Sequence, residues 1–141
     1  MPRLLLIALI VAAALAVILF VPFSSPSGNA YSLSRIDVAD SEEEWETGLT
    51  GKEVPPDYGM LFIFDTEGSY GFWMKGTLAP LDVIWLSRDG VIVGIEHSLA
   101  PDTYPQSYYP PSPVRYVLET LGGTAKERGW EKGTKLSLPL R

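Results

Sequence analysis

Residues 4–21, "LLLIALIVAAALAVILFV", carry no polar side chain and follow a short "MPR" head. As a helix rising about 1.5 Å per residue, this run reaches roughly 27 Å, close to the roughly 30 Å hydrocarbon core of a bilayer. A segment of that length splits the chain into two solvent classes, so residues 1–21 are expected to be a single transmembrane helix or a signal segment. A signal peptide usually has a shorter apolar run, but "GNA" at 28–30 offers a small-x-small cleavage pattern, and both readings stay open. Arg3 is the only charge ahead of the run. Positive residues prefer the cytoplasmic side, which predicts a single-pass protein of the cell membrane with the remainder outside the cytoplasm, or a secreted domain if the segment is cut.

"PFSSPSGNA", residues 22–30, is a Pro/Ser/Gly linker that resists helix and strand alike. Residues 31–141 then form one domain, long enough to enclose a single core. Ten basic residues face 17 acidic ones once Arg3 is set aside, a formal charge of −7. That surface repels phosphate backbones and excludes a nucleic-acid partner. Cysteine is absent, which removes disulfides, thiol catalysis and thiolate zinc sites together.

Period-two alternation in "YSLSRIDVA" marks a first strand. In "DSEEEWETGL" a capping box of Ser41 and Glu44, an acidic first turn and Gly48 bound a short helix whose apolar face is Trp45 and Leu49. "MLFIF", "YGFWMK", "LDVIWLS" and "VIVGIEH" read as four consecutive strands, with Asp89-Gly90 as a tight hairpin turn. "VRYVLET" and "TKLSLPL" are two more, separated by a miniature helix, "TAKERG", with Thr124 and Glu127 as its capping box. The fold expected is mainly β (α+β): a small antiparallel β-meander or barrel-like domain with two short helices, behind one N-terminal transmembrane helix. Between the strands, "LAPDTYPQSYYPPSP" at 99–113 holds five prolines and three tyrosines and is a long irregular loop.

The stretches "GLTGKEVPPDYGMLFIF", "FWMKGTLAPLDVIWLSRDGVIVGI" and "VRYVLETLGGTAKERGWEKGTKL", in that order, resemble the bacterial and archaeal family called domain of unknown function 192, over roughly Ile36 to Leu138. The resemblance implies a compact β-rich domain, often behind a signal or membrane segment, and carries no agreed reaction. Its pattern has methionine in place of Thr50, asparagine in place of Gly76 and Gly-Asp in place of Gly133-Thr134.

Polar groups set among apolar ones are the natural candidates for a site. Lys75 and Asp82 flank the bend "GTLAP", where an ion pair across the turn fixes strand register, with Thr77 satisfying backbone groups in the bend. Alternatively the Lys75 ammonium points into a pocket lined by Trp73, Met60 and loop tyrosines. Glu119, opposite in parity to Leu118, is expected to face solvent; facing inward near Lys75 it would form an acid/base pair. Tyr104, Tyr108 and Tyr109 either build a stacking platform on the proline-stiffened loop or cover a sheet edge. His97 is the sole histidine, which excludes two-histidine zinc chemistry, and an exposed strand-end position is expected for it over a metal site with Glu96 and Asp102. No metal or cofactor is expected. The binding candidates are therefore Trp73, Lys75, Thr77, Asp82, Tyr104, Tyr108 and Glu119, for an envelope component or a protein partner. The competing reading is a hydrolase or transferase whose polar machinery is Lys75, Asp82 and Glu119.

Overall fold

A computed structural model describes residues 33–141. The apolar segment 4–21 and the linker 22–30 lie outside the described residues, and among those described no helix is long and apolar enough to cross a membrane. The elements are β1 (Arg35–Ala39), α1 (Glu42–Thr47), β2 (Tyr58–Gly68), β3 (Leu81–Leu86), β4 (Ile92–Leu99), a 3-10 turn (Pro101–Thr103), β5 (Val114–Leu121) and α2 (Thr124–Glu127).

All five strands form one sheet in the order β1-β2-β5-β3-β4. β1 runs parallel to β2, across a connection that contains α1, and every other neighbour is antiparallel. The sheet is thus mixed and open, with β1 and β4 as its edges, and corrects the expected meander or barrel. β5 inserts between β2 and β3, which are sequence neighbours but not sheet neighbours. Burial explains the order. The continuous apolar runs of β2, β3 and β5 are buried on both sides and take the centre, while the mixed patterns of β1 and β4 suit edges.

Each face has its own core. On one face Met60, Phe62, Phe64, Val83, Trp85 and Val117 pack with Leu49, Phe72 and Met74; on the other Leu61, Ile63, Ile84, Leu86, Tyr116 and Leu118 pack with Leu33, Ala125, Trp130 and Leu136. Two segments expected as strands are the covers of these faces. In "YGFWMK" only Phe72 pairs, as an isolated bridge to Tyr108, and in "TKLSLPL" only Lys135 does, with Val91. Phe72 and Met74 are buried while Trp73 and Lys75 are exposed. Alternation there reports burial of one side against the sheet face, not membership of a ladder.

Helix α1 starts as its capping box requires: the Glu44 N–H donates to Ser41 Oγ, and the Glu44 carboxylate accepts from the Ser41 hydroxyl at 2.8 Å and the Asp40 N–H at 3.0 Å. Trp45 packs its ring 5.0 Å from that of Phe64 and donates its indole N–H to the Ala39 carbonyl. The second capping box does not form. Gly123, at φ +94, precedes α2, and Thr124 is the helix's first residue with no side-chain cap. Asp82 supplies the acceptors from the neighbouring strand: its carboxyl oxygens accept from the N–H groups of Ser98 (2.8 Å), Gly123 (3.1 Å) and Ala125 (2.8 Å).

The ion pair expected between Lys75 and Asp82 is therefore absent. Asp82 is fully buried and tied to three backbone donors, while Lys75 is exposed and forms no salt bridge among the described residues. The bend is held by backbone instead, with the Thr50 hydroxyl donating to the Lys75 carbonyl at 2.8 Å and the Gly51 N–H to the Gly76 carbonyl at 2.9 Å. Replacing Asp82 by alanine strands up to three donors and should cost about 2–4 kcal/mol in urea unfolding, whereas Lys75→Ala should stay within about 0.5 kcal/mol. Equal losses would restore the ion pair.

Candidate functional site

Pairing register decides where the two acidic candidates point. Across β3 and β5, Val83 is opposite Glu119 and Asp82 is opposite Thr120. Directly paired residues share a face and neighbours in sequence do not, so Asp82 and Glu119 lie on opposite faces of the sheet. Asp82 faces α2, and Glu119 faces the layer that holds Met60 and Phe62. The expectation that Glu119 is solvent-facing is overturned because β5 is an inner strand of a sheet covered on both sides; Glu119 is 4% exposed.

Above Glu119 the cover is incomplete. A cleft of about 310 Å³ opens between α1 and the segment 70–77, walled by Trp45, Phe62, Phe64, Tyr70, Phe72 and Trp73, with Thr47, Thr50 and Thr77 beside them. Glu42 and Glu46 line it from the exposed face of α1. Phe64 and Tyr70 stack with centroids 3.6 Å apart, and Phe72 meets Phe62 edge-on at 4.9 Å, so the rings support one another. Gly48 sits where α1 ends, at φ +46, and a Cβ added there would lie 3.3 Å from the Phe62 ring and 3.8 Å from Glu119 Oε2. A side chain at this position would crowd the Phe62 ring beside the carboxyl group.

The Glu119 side chain has no hydrogen-bond partner among the described residues and forms no salt bridge. Burial away from water raises its pKa to about 8, opposed by the field of Lys52. At neutral pH it is chiefly the protonated acid, able both to donate and to accept a hydrogen bond.

Of the seven sequence candidates, the fold brings Trp73, Thr77 and Glu119 together in this cleft. Thr77 donates its hydroxyl to the Met74 carbonyl at 3.1 Å, and the Trp73 indole is 41% exposed. Lys75 and Asp82 do not line it. Nor do the loop tyrosines: Tyr104 and Tyr109 are exposed, and Tyr108 is half-buried with its backbone bonded to Phe72 in both directions, at 2.8 and 2.9 Å. Tyr109 reaches the rim indirectly, where a Cβ on Gly71 would come within 2.8 Å of its ring. Met60 belongs to the core, and His97 is exposed at the end of β4. Sequence reading missed Trp45, Phe62, Phe64, Tyr70 and Phe72 as site residues. The available signal was three phenylalanines, Phe62, Phe64 and Phe72, close to one bend; their burial made them look like core. Thr50 and Gly76, two of the departures from the family pattern, touch each other here, since a Cβ on Gly76 would meet Thr50 Cγ2 at 2.9 Å.

A small open-sheet α+β domain with an aromatic cleft over one buried acid is the class these features define. The chain belongs to the DUF192 family, described as Uncharacterized ACR, which it matches over residues 24–138. No curated protein matches it. Two solved structures are similar. One is a protein of Sinorhizobium meliloti 1021 described as a candidate transcription regulator, 34% identical with a TM-score of 0.69, covering 72% of this chain and 79% of that one. The other is a protein of unknown function from Novosphingobium aromaticivorans DSM 12444, 28% identical with a TM-score of 0.69, covering 73% and 74%.

The raised pKa has a consequence for stability. Glu119 titrates near its ordinary carboxylate value when unfolded and near 8 when folded, so between those values the folded state holds the extra proton. Stability is therefore greatest below the unfolded pKa and falls as pH rises, by about 1.4 kcal/mol per pH unit attributable to this one group, levelling off above about pH 8. Glu119→Gln should remove that slope in denaturant unfolding between pH 5 and 8, and parallel curves for the two proteins would contradict a neutral Glu119.

Proposed function

We propose that this chain is an extracytoplasmic binding domain, tethered to the membrane by residues 4–21, whose site is the aromatic cleft over Glu119 and whose ligand is a component of the envelope space. The observation that carries the reading is a buried, unpartnered carboxyl group at the floor of an open apolar cleft. A polar group buried without a partner costs stability, and a bound molecule with a complementary group offsets that cost. Six aromatic side chains supply the contact area. The tether rests on the length of the apolar run and on Arg3 ahead of it.

The hydrolase or transferase reading loses its support because its three residues do not converge: Asp82 and Glu119 occupy opposite sheet faces, and the cation whose field reaches Glu119 is Lys52 rather than Lys75. The description of the Sinorhizobium relative does not transfer to nucleic acid here, since the domain's charge of −7 opposes phosphate.

A chemically diverse fragment set, screened by saturation-transfer NMR against the full chain in nonionic micelles, tests the site. Fragments that bind should lose about fivefold to tenfold in affinity with Trp73→Ala, whose indole is exposed and whose loss leaves the unfolding midpoint nearly unchanged. Equal binding to the variant, or no binding at all, would remove the cleft as a site. A C-terminal alkaline phosphatase fusion, active only outside the cytoplasm, checks the topology, and inactivity of the intact fusion would contradict it.

A further inference from the structure

The chemistry of the cleft lining narrows the ligand. Among the described residues no lysine, arginine or histidine lines it, while Glu42, Glu46 and Glu119 do. Aromatic ring faces carry partial negative charge and attract cations, most strongly where water is excluded. Glu119 is more than nine-tenths buried, unpartnered, and directed into the same space. The volume of about 310 Å³ is at the small end for ligand sites.

We propose that the cleft takes a small organic ammonium ion, its N–H groups hydrogen-bonded to the Glu119 carboxylate and its apolar substituent packed against Trp45, Phe64, Tyr70 and Trp73. The proposal rests on the cleft being a binding site and adds the charge and class of what it holds. An anion would meet three carboxyl groups and, among the described residues, no cation in the lining. A neutral apolar molecule would fill the aromatic walls but leave the Glu119 carboxyl group without a hydrogen-bond partner. An ammonium ion satisfies both parts of the lining.

Binding of this kind exchanges one positive charge for another. The protonated acid gives its proton to solvent, and the ammonium takes over as the partner of the resulting carboxylate, which burial alone disfavours. The other groups that act on Glu119 do not replace that partner. Met60 and Phe62 on β2, Val83 on β3 and Gly48 at the end of α1 are uncharged. Lys52 acts only through its field, Tyr58 is a phenol whose own pKa is pushed to about 12, and Glu42 and Glu46 add negative charge at the rim. Ligand affinity is therefore linked to pH through Glu119: it should rise close to tenfold per pH unit below about pH 8 and flatten above it.

The test uses benzylammonium and its neutral counterpart benzyl alcohol, titrated calorimetrically into the full chain in nonionic micelles, with protein-free micelles as the blank. At pH 7, benzylammonium should bind at least about tenfold more tightly than the alcohol, the size of a charge-assisted hydrogen bond to a buried group. Its binding should release close to one proton, read from the difference in heat between buffers of different ionisation enthalpy. Glu119→Gln should abolish the release and the pH dependence and weaken benzylammonium about tenfold, with circular dichroism confirming that the variant is folded. Equal affinity for the two probes, or binding without proton release, overturns the ammonium assignment but leaves the cleft a binding site. So does failure of benzylammonium where other fragments bind in a Trp73-dependent way. Failure of the probes and of the whole fragment set removes the cleft as well.

Discussion

Where the inner strands are covered on both faces, a carboxyl group must either find donors or hold its proton. Water reaches such a group only through a gap in the cover. Asp82 and Glu119 sit one register step apart across β3 and β5 and meet this constraint in opposite ways. Asp82 accepts from three backbone N–H groups and joins β3 to the end of β4 and to the start of α2. Glu119 finds no donor among the described residues and faces an opening in its cover instead. The same strand pairing that produces a structural acid on one face produces an unpartnered acid on the other.

That opening is itself a product of local sequence. Helix α1 is short because Gly48 ends it, and the chain leaves at a positive φ with no side chain over Glu119. The segment 70–74 packs Phe72 and Met74 onto the sheet but is held there by a single bridge to Tyr108, so it forms one wall of a cleft instead of a further strand. The proline-rich loop serves this wall from behind. Its tyrosines brace the cleft through Tyr108 backbone bonds and the contact of Tyr109 with Gly71, and they do not line it.

Much of this was legible residue by residue. The capping box at Ser41 and Glu44, the hairpin at Asp89-Gly90 and the apolar runs of β2, β3 and β5 follow from local rules, and the structure places helix, turn and strands there. Strand order was not, because period-two alternation tells which side of a segment is buried and not which neighbour it pairs with. "YGFWMK" alternates as a strand would and still pairs at one residue. The Lys75–Asp82 pair failed for the same reason: the partners of Asp82 come from residues 98, 123 and 125, which no local reading could place beside it. Glu119 needed the sheet order before its side could be assigned, and with β5 in the centre neither side is solvent.

Everything said of the cleft turns on the protonation of one carboxyl group. Selective labelling of glutamate side-chain carboxyl carbons and a carbon-13 titration of the full chain, with Glu119→Gln identifying the resonance, reads that group directly. The account predicts a midpoint near 8 for Glu119 in the unliganded protein. A midpoint in the ordinary carboxylate range, about 4–5, would mean that the acid is solvated or already paired, and the cleft would have no unpartnered acid to offer a ligand.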